Sequence, residues 1–245
     1  MRVGVTGQNG FIGTHLFNTL NRDKARFETV QYQNDFFENQ YLLEDWVANC
    51  DVIVHLAAMS RHEVSNVVYD TNIELVNKLI AALNNTNSKP QIIFASSIQE
   101  ELDTEYGRSK REGRILLDEW AKKNNAMFLG IILPNIYGPL ARPKYASVIA
   151  TFAYQLTHNE IPEIIIDTEL NLIYIMDLVD IIIQCMINKT NNSYYIVSPT
   201  HQKKVSIVLN QLEYYSECYL KRDGLPNIIS QFDRNLYDTF ISYID

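Results

Sequence analysis

Short apolar runs set the rhythm of the first half of the chain. Arg2–Thr6 (RVGVT), Asp51–Ala58 (DVIVHLAA), Ile92–Ala95 (IIFA) and Met127–Leu133 (MFLGIIL) are compact and nearly uninterrupted by polar residues. That is the pattern of strands buried on both faces of a parallel sheet. A further strand is expected near Phe27–Gln31. Between the runs lie stretches that read as helices: one opening at Gly7–Gly13, one from Val64 to Leu83, and RSKREGRILLDEWAKK at 108–123. Alternating strands and helices predict an α/β fold, a Rossmann-like doubly wound parallel sheet. Beyond residue 140 the alternation loosens. Helices are expected at Ser147–His158, Asp177–Asn188, Val205–Leu220 and Phe232–Tyr243, and extended chain at Tyr194–Val197. Ile164–Asp167 and Leu170–Tyr174 are expected to pair as a short hairpin. The whole chain, 1–245, reads as one domain, with 1–140 forming mainly the sheet and 141–245 mainly a small second lobe.

Composition narrows the classes. The 245 residues suit a single α/β domain, and a hydrophobic content of 47% suffices for a packed core. A net charge of −8 without any basic run excludes nucleic acid as an expected partner. Cys50, Cys185 and Cys218 are few and widely spaced, which suits buried thiols in a reducing compartment and argues against a disulfide or metal framework. No apolar run approaches the length of a membrane-spanning helix. Met1 leads straight into the first strand, so no signal peptide and a cytoplasmic location are expected.

Two stretches carry chemistry. The first is Gly7-Gln8-Asn9-Gly10-Phe11-Ile12-Gly13, a G-x-x-G-x-x-G loop between a strand and a helix. Gly7 permits the tight turn, Gly10 lets backbone N–H groups approach a pyrophosphate at the helix N-terminus, and Gly13 allows close helix packing. NAD sites usually carry an acid about 20 residues further on. Here that place reads Gln31-Tyr32-Gln33, which tilts the reading toward NADP. Small Ala57 and Ala58 fit either a passing dinucleotide or simple close packing. Arg61 suits either a substrate phosphate or solvent, and His62 reads as a surface histidine. The second stretch is QIIFASSIQEELDTEYGRSK at 91–110. Ser97 sits where a strand should end, and Tyr106 and Lys110 are one helical turn apart on one face. A ketone reduced by hydride needs a proton donor near its oxygen. A phenol is a weak donor at its usual pKa of roughly 10, and a neighbouring ammonium lowers that value. The strand ends Gly7, Ala57, Ser97 and Pro134 all fall where a doubly wound sheet binds its ligand.

These residues make the chain resemble the extended short-chain dehydrogenase/reductases. The marks are VTGxxGFIG at 5–13, HLAA at 55–58, FASS at 94–97, YGRSK at 106–110 and PNIYGP at 134–139. More narrowly, SSIQ at 96–99, the short gap from Ser97 to Tyr106, SVIATF at 147–152 and LYDTFISYI at 236–244 are similar to the NADPH-dependent reductases of UDP-2-acetamido-2,6-dideoxy-4-hexulose sugars. Those enzymes serve pathways to N-acetyl-L-fucosamine and related L-sugars. The resemblance implies that Ser97 holds the sugar ketone, that Tyr106 is the acid, and that Lys110 binds the nicotinamide ribose and tunes Tyr106. It places Asn72 in the active-site polar network. NADPH would be held by Gly7, Asn9, Gly10, Phe11, Ile12, Gly13, Tyr32, Leu56, Ala57, Ala58, Tyr106, Lys110, Pro134, Asn135 and Ile136. A UDP-sugar would meet Arg61, Ser97, Asn135, Lys144, Tyr145, Ser147 and Val148. A homodimer is expected through helices at 64–84 and 106–124, with Val67, Val68, Ile73, Ile115, Leu117 and Trp120 as apolar material.

Many members of that group carry a C-terminal cupin domain that epimerises the sugar before reduction. The sequence ends at Asp245, where such a domain would begin; a short reductase and a piece of a longer protein both stay open. The expected product is therefore of the N-acetyl-rhamnosamine type, with C3 not inverted. A 4,6-dehydratase or a 4-epimerase of the same fold is the nearest alternative, and a non-catalytic dinucleotide sensor a distant one. Dehydratases usually place an acidic pair beside the catalytic hydroxyl, whereas Ser97 is followed by Ile98 and Gln99.

Overall fold

The structure is a computed structural model that describes residues 1–64, 66–221 and 224–244. Its elements alternate as the hydrophobic pattern predicts. Strand β1 is Arg2–Thr6, helix α1 Phe11–Arg22, β2 Glu28–Val30, α2 Gln40–Ala48, β3 Val52–His55, α3 Val67–Thr86, β4 Gln91–Ser97, α4 Glu105–Asn124 and β5 Phe128–Leu133. There follow β6 Asn135–Tyr137, α5 Val148–Thr157, β7 Glu169–Tyr174, α6 Ile175–Ile187, β8 Asn192–Ile196, β9 His201–Lys204, α7 Val205–Ser216 and α8 Gln231–Ile241. The chain divides into two compact units: residues 1–133 with 179–197, and residues 134–178 with 198–245.

The first unit holds a six-stranded parallel sheet in the order β2-β1-β3-β4-β5-β8. The order reverses beside β1, so β1 and β3 flank the switch point, and a ligand crevice belongs at their carboxyl ends. The central strands are apolar throughout because both faces are covered: all of β3 and β5 is buried, and β4 is buried up to Ser96. One core of this unit gathers Leu43, Trp46 and Val47 of α2, Val76 and Leu79 of α3, Ile92 and Phe94 of β4, and Leu117 and Trp120 of α4.

Helix α2 has no counterpart in the expectations drawn from the pattern. It is short, and only Leu43, Trp46 and Val47 are buried, so its apolar signal is thin. It starts because the Asn39 side chain accepts from Leu42 N, a cap worth about 1 kcal/mol. Helix α3 begins at Val67, later than the expected Val64, behind a left-handed Asn66. Of the apolar residues offered for a subunit contact, Val68, Leu117 and Trp120 are buried in the chain's own core, while Ile115 is exposed.

The second unit has a three-stranded sheet in the order β6-β7-β9. The expected hairpin is corrected here. Residues 164–167 form no strand, and β7 pairs instead with β6 in parallel and with β9 antiparallel. The isoleucine run that suggested a strand is open to solvent, with Ile165 94% exposed. An apolar run makes a strand only where a neighbour supplies hydrogen bonds, and β9, a polar stretch without strand patterning, already holds that edge of β7. The core of this unit joins Tyr137, Ile149, Phe152, Leu172, Val208, Leu212, Tyr215, Phe232, Leu236 and Phe240. Among the described residues, no helix is long and apolar enough to cross a membrane.

Candidate active site

The glycine loop is built as the spacing requires. Gly7 has φ +69°, a left-handed conformation that side chains rarely adopt, and a Cβ there would meet Ala57 N at 2.9 Å. The loop closes by a bond from Gly10 N to Gly7 O of 2.9 Å, and Gly10 caps α1 without a side chain. A Cβ on Gly13 would lie 2.1 Å from Gly7 O, so the helix rests directly on the loop backbone. Gly10 is different: it is exposed, and a Cβ there would meet only Gly7 O, at 3.2 Å. The space outside Gly10 is thus open. Asn9 is exposed beside it, and Phe11 and Ile12 occupy the first turn of α1, half-buried.

The ends of β1 and β3 are joined by one hydroxyl. Thr6 Oγ1 accepts from Leu56 N and Ala57 N, both at 3.1 Å. Both lone pairs are then used, so its own proton goes to His55 Nδ1, 2.8 Å away. His55 is therefore the neutral tautomer with its proton on Nε2. Burial first, then the nearby Lys110 charge, hold its pKa down to about 3. Ala58, at the exit, is exposed.

Ser97 ends β4, half-buried, and its Oγ accepts from Gln99 N at 3.2 Å as the chain turns through the 3-10 segment Ile98–Glu101. Because that oxygen already accepts, its O–H remains to donate. Tyr106 and Lys110 stand in the first turns of α4, which begins under a Thr104 cap that accepts from Gly107 N. Gly107 is what brings strand tip and helix together. A Cβ there would lie 2.2 Å from Gln99 O and 2.6 Å from Leu102 O, so only glycine lets the turn behind Ser97 lie against the start of α4. The YG pair of YGRSK carries that signal in the sequence.

Lys110 is 3% exposed, with Nζ 4.4 Å from the centre of the Phe94 ring and 6.0 Å from that of Tyr106. Phe94 in turn stacks on the His55 ring at 5.8 Å. A cation over an aromatic face gains part of what it loses by leaving water. Burial pushes the Lys110 pKa down to about 7, opposed by the Glu100 carboxylate. Among the described residues no hydrogen bond or ion pair engages its ammonium, so its donors remain for a ligand.

Asn72 is spent on scaffolding. Its Oδ1 accepts from Met59 N at 2.7 Å, and its Nδ2 donates to Met59 O and to Ser109 Oγ, both at 2.9 Å. Ser109 Oγ then donates to Tyr106 O at 2.8 Å. The buried amide thus fastens the exit of β3 to the turn of α4 that bears Tyr106. Ser109 was not singled out by the sequence.

One expected contact needs correction. The Tyr32 side chain is 3% exposed and packs edge-on against Phe36, Phe37 and Trp46, so its phenol is core. Its carbonyl accepts from Gln8 Nε2, tying the glycine loop to the end of β2. No carboxylate occupies 31–33; Asp35 is exposed, at the start of a 3-10 turn. Arg61 is exposed and makes no ion pair among the described residues.

In the second unit Pro134 is buried, and Asn135 and Ile136 open β6. Lys144 pairs with Glu160 at 2.7 Å, and Tyr145 lies under Arg142 at 5.0 Å. Ser147 caps α5, accepting from Ala150 N, with Val148 the first residue of the helix. Lys144 and Ser147 therefore have local structural work of their own.

The profile of the NAD dependent epimerase/dehydratase family matches residues 3–197. A UDP-2-acetamido-2,6-beta-L-arabino-hexul-4-ose reductase of Pseudomonas aeruginosa is 31% identical over 250 residues, covering 100% of this chain and 65% of that protein. The crystal structure of the capsular polysaccharide assembling protein CapF from Staphylococcus aureus superposes with a TM-score of 0.83 at 29% identity, covering 100% of this chain and 65% of the other. The chain thus spans 65% of the length of both relatives. RMD from Pseudomonas aeruginosa, solved with NADPH, has a TM-score of 0.82 at 17% identity over 99% of this chain and 98% of its own, a likeness of fold.

Proposed function

Since the chain belongs to the NAD dependent epimerase/dehydratase family, we propose that it reduces the C4 ketone of a UDP-2-acetamido-2,6-dideoxy-L-hexos-4-ulose with NADPH. The product is a UDP-N-acetyl-6-deoxy-L-sugar of the rhamnosamine type. The observation that carries the reading is the buried Lys110 ammonium, its donors unspent, one turn from Tyr106 at the end of β4. The name of the Pseudomonas relative supports the substrate class.

The residues fit a dinucleotide: the loop is open outside Gly10, and the first N–H groups of α1 have no acceptor within the helix. Bound there, NADPH would supply the hydride. The backbone of Gly7–Gly13 would hold its pyrophosphate, and Lys110 Nζ would donate to the ribose. Ser97 donates its free O–H to the ketone oxygen. Tyr106 gives that oxygen its proton as C4 becomes tetrahedral, and Lys110 steadies the phenolate left behind. The dehydratase alternative loses ground because Glu100, the nearest candidate for its acid pair, is buried and held by Ser96 and Arg114. The absence of an acid at 31–33 favours NADPH over NADH.

The test supplies the 4-keto sugar with NADPH or NADH in D₂O. Expected are NADPH oxidation with a higher kcat/KM than NADH, and a product carrying neither deuterium nor inverted coupling at C3. Deuterium at C3 overturns the product assignment. No NADPH oxidation across a panel of UDP- and dTDP-4-keto-6-deoxy sugars overturns the reductase reading itself.

The reading includes a homodimer across α3 and α4. A surface groove on these helices is lined by Tyr69, Asp70, Arg108, Arg111, Glu112 and Ile115. Light scattering at micromolar concentration is expected to give twice the mass of one chain; a single-chain mass overturns this.

A further inference from the structure

The ion pair behind Ser97 is placed to do more than fill space. Glu100 is 3% exposed, in the turn that follows β4. Its Oε2 accepts from Ser96 Oγ at 2.5 Å and from Arg114 Nε at 3.1 Å, and its Oε1 accepts from Arg114 Nη2 at 2.9 Å. Arg114 also donates from Nη1 to Ser193 O at 3.1 Å, and Arg111 Nη1 reaches the Glu100 carbonyl at 3.4 Å. One carboxylate thereby joins the tip of β4, the turn after it, helix α4 and the edge strand β8. We propose that Glu100 is a positioning residue of the active site with two linked effects: it fixes the turn that presents Ser97 against the helix that carries Tyr106 and Lys110, and through that placement its negative charge supports the Lys110 ammonium. Its kinetic consequence rests on the reductase reading; its geometric one does not.

A purely structural plug at this spot would be cheaper as an apolar side chain, since burying a pair of charges repays its desolvation only with good geometry. The geometry here is the side-on fork that arginine offers a carboxylate. The pair also has electrostatic reach. Lys110 is faced by His55 from β3, neutral in its buried tautomer, by the Phe94 ring from β4, and by Tyr106 on its own helix. Glu100 is the carboxylate that acts on it, raising its pKa against the effect of burial. Removing that charge lowers the Lys110 pKa. Lys110 then loses its proton at lower pH, so the alkaline limb of the rate profile moves toward acid.

The experiment compares the wild-type chain with Glu100→Gln and Glu100→Asp. The Lys110 titration is followed by NMR of ¹³Cε-labelled lysine and assigned with Lys110→Met. In Glu100→Gln it is expected to move down by about one pH unit, and in Glu100→Asp, which keeps the charge, to stay near wild type. The alkaline limb of kcat/KM for the 4-keto sugar follows, leaving Glu100→Gln roughly tenfold slower at pH 8. Wild-type titration and pH profile in a folded Glu100→Gln overturn the proposal. If that variant does not fold, Glu100→Gln/Arg114→Gln, which strands neither charge, is titrated in its place; a downward shift smaller than that of the single variant is expected, because the Arg114 cation leaves with the carboxylate, and an unmoved titration overturns the proposal. Should no 4-keto sugar turn over, the NMR titration still decides the role of Glu100, and only the reductase reading falls.

Discussion

Tyr106→Phe is expected to lower kcat by about 10²–10⁴, the usual worth of general acid catalysis, or roughly 3–5 kcal/mol of barrier. The variant removes one hydroxyl and keeps the ring. Lys110 Nζ sits 6.0 Å from the centre of that ring and 4.4 Å from that of Phe94, and both contacts survive the change. Affinity for NADPH, measured by calorimetry, is therefore expected to stay within about twofold. On the proposed reading Ser97 and Lys110 would remain as hydrogen-bond donors to the ketone and the ribose, but neither would replace the lost proton. Lys110 is the nearest substitute, and its pKa of about 7 leaves it partly charged at neutral pH. Even so, on this reading Lys110 is committed to the ribose, so it would not take over the proton transfer. Turnover like that of the wild type would sink the assignment of Tyr106. Lys110→Met gives the contrast, because it should damage kcat and cofactor affinity together.

Gly10→Val is expected to abolish measurable NADPH binding while the fold survives, a weakening of at least about 10²-fold, or roughly 3 kcal/mol. The expectation depends on which way Gly10 faces. Its backbone, with φ −81° and ψ 174°, is extended chain that valine adopts readily. Its nearest protein neighbour would be Gly7 O at 3.2 Å from the new Cβ, a contact that gives by a few tenths of an ångström. The branched side chain then occupies the space at the N-terminus of α1 where a pyrophosphate would meet the backbone N–H groups. Gly13→Val behaves differently. Its Cβ would lie 2.1 Å from Gly7 O and 2.7 Å from Gln8 Cα, so it should lower the melting temperature directly. Reading Tm and affinity on both variants separates a cradle from a packing contact. Unchanged affinity in Gly10→Val would mean that the glycine loop does not hold the phosphates.

What the amino-acid sequence determines alone is what depends on neighbours along the chain. Buried parallel strands need unbroken apolar runs, and those at Arg2–Thr6, Ile92–Ala95 and Met127–Leu133 return as β1, β4 and β5. Tyr106 and Lys110 share a face because four residues make about one helical turn. A glycine at a tight turn is legible because few other residues accept φ +69°. The tertiary structure decided the rest. The isoleucines at 164–166 are as apolar as any strand here, yet they stay in solvent, because β9 occupies the edge of β7 that they would need. Tyr32 lies in the region of the chain that suggested a cofactor contact, and the aromatic residues Phe36, Phe37 and Trp46 draw it into the core. Asn72 spends its amide on Met59 and Ser109, the latter 37 positions along the chain. Nothing in the sequence separates Glu100 from the neighbouring Glu101; it is Arg114, 14 positions on, that encloses the Glu100 carboxylate. His55 receives its tautomer from Thr6, 49 positions away. Each of these outcomes turns on a partner brought near only by folding. A hydrogen bond or a desolvated charge depends on the few ångströms around it, and local spacing along the sequence does not specify what fills them.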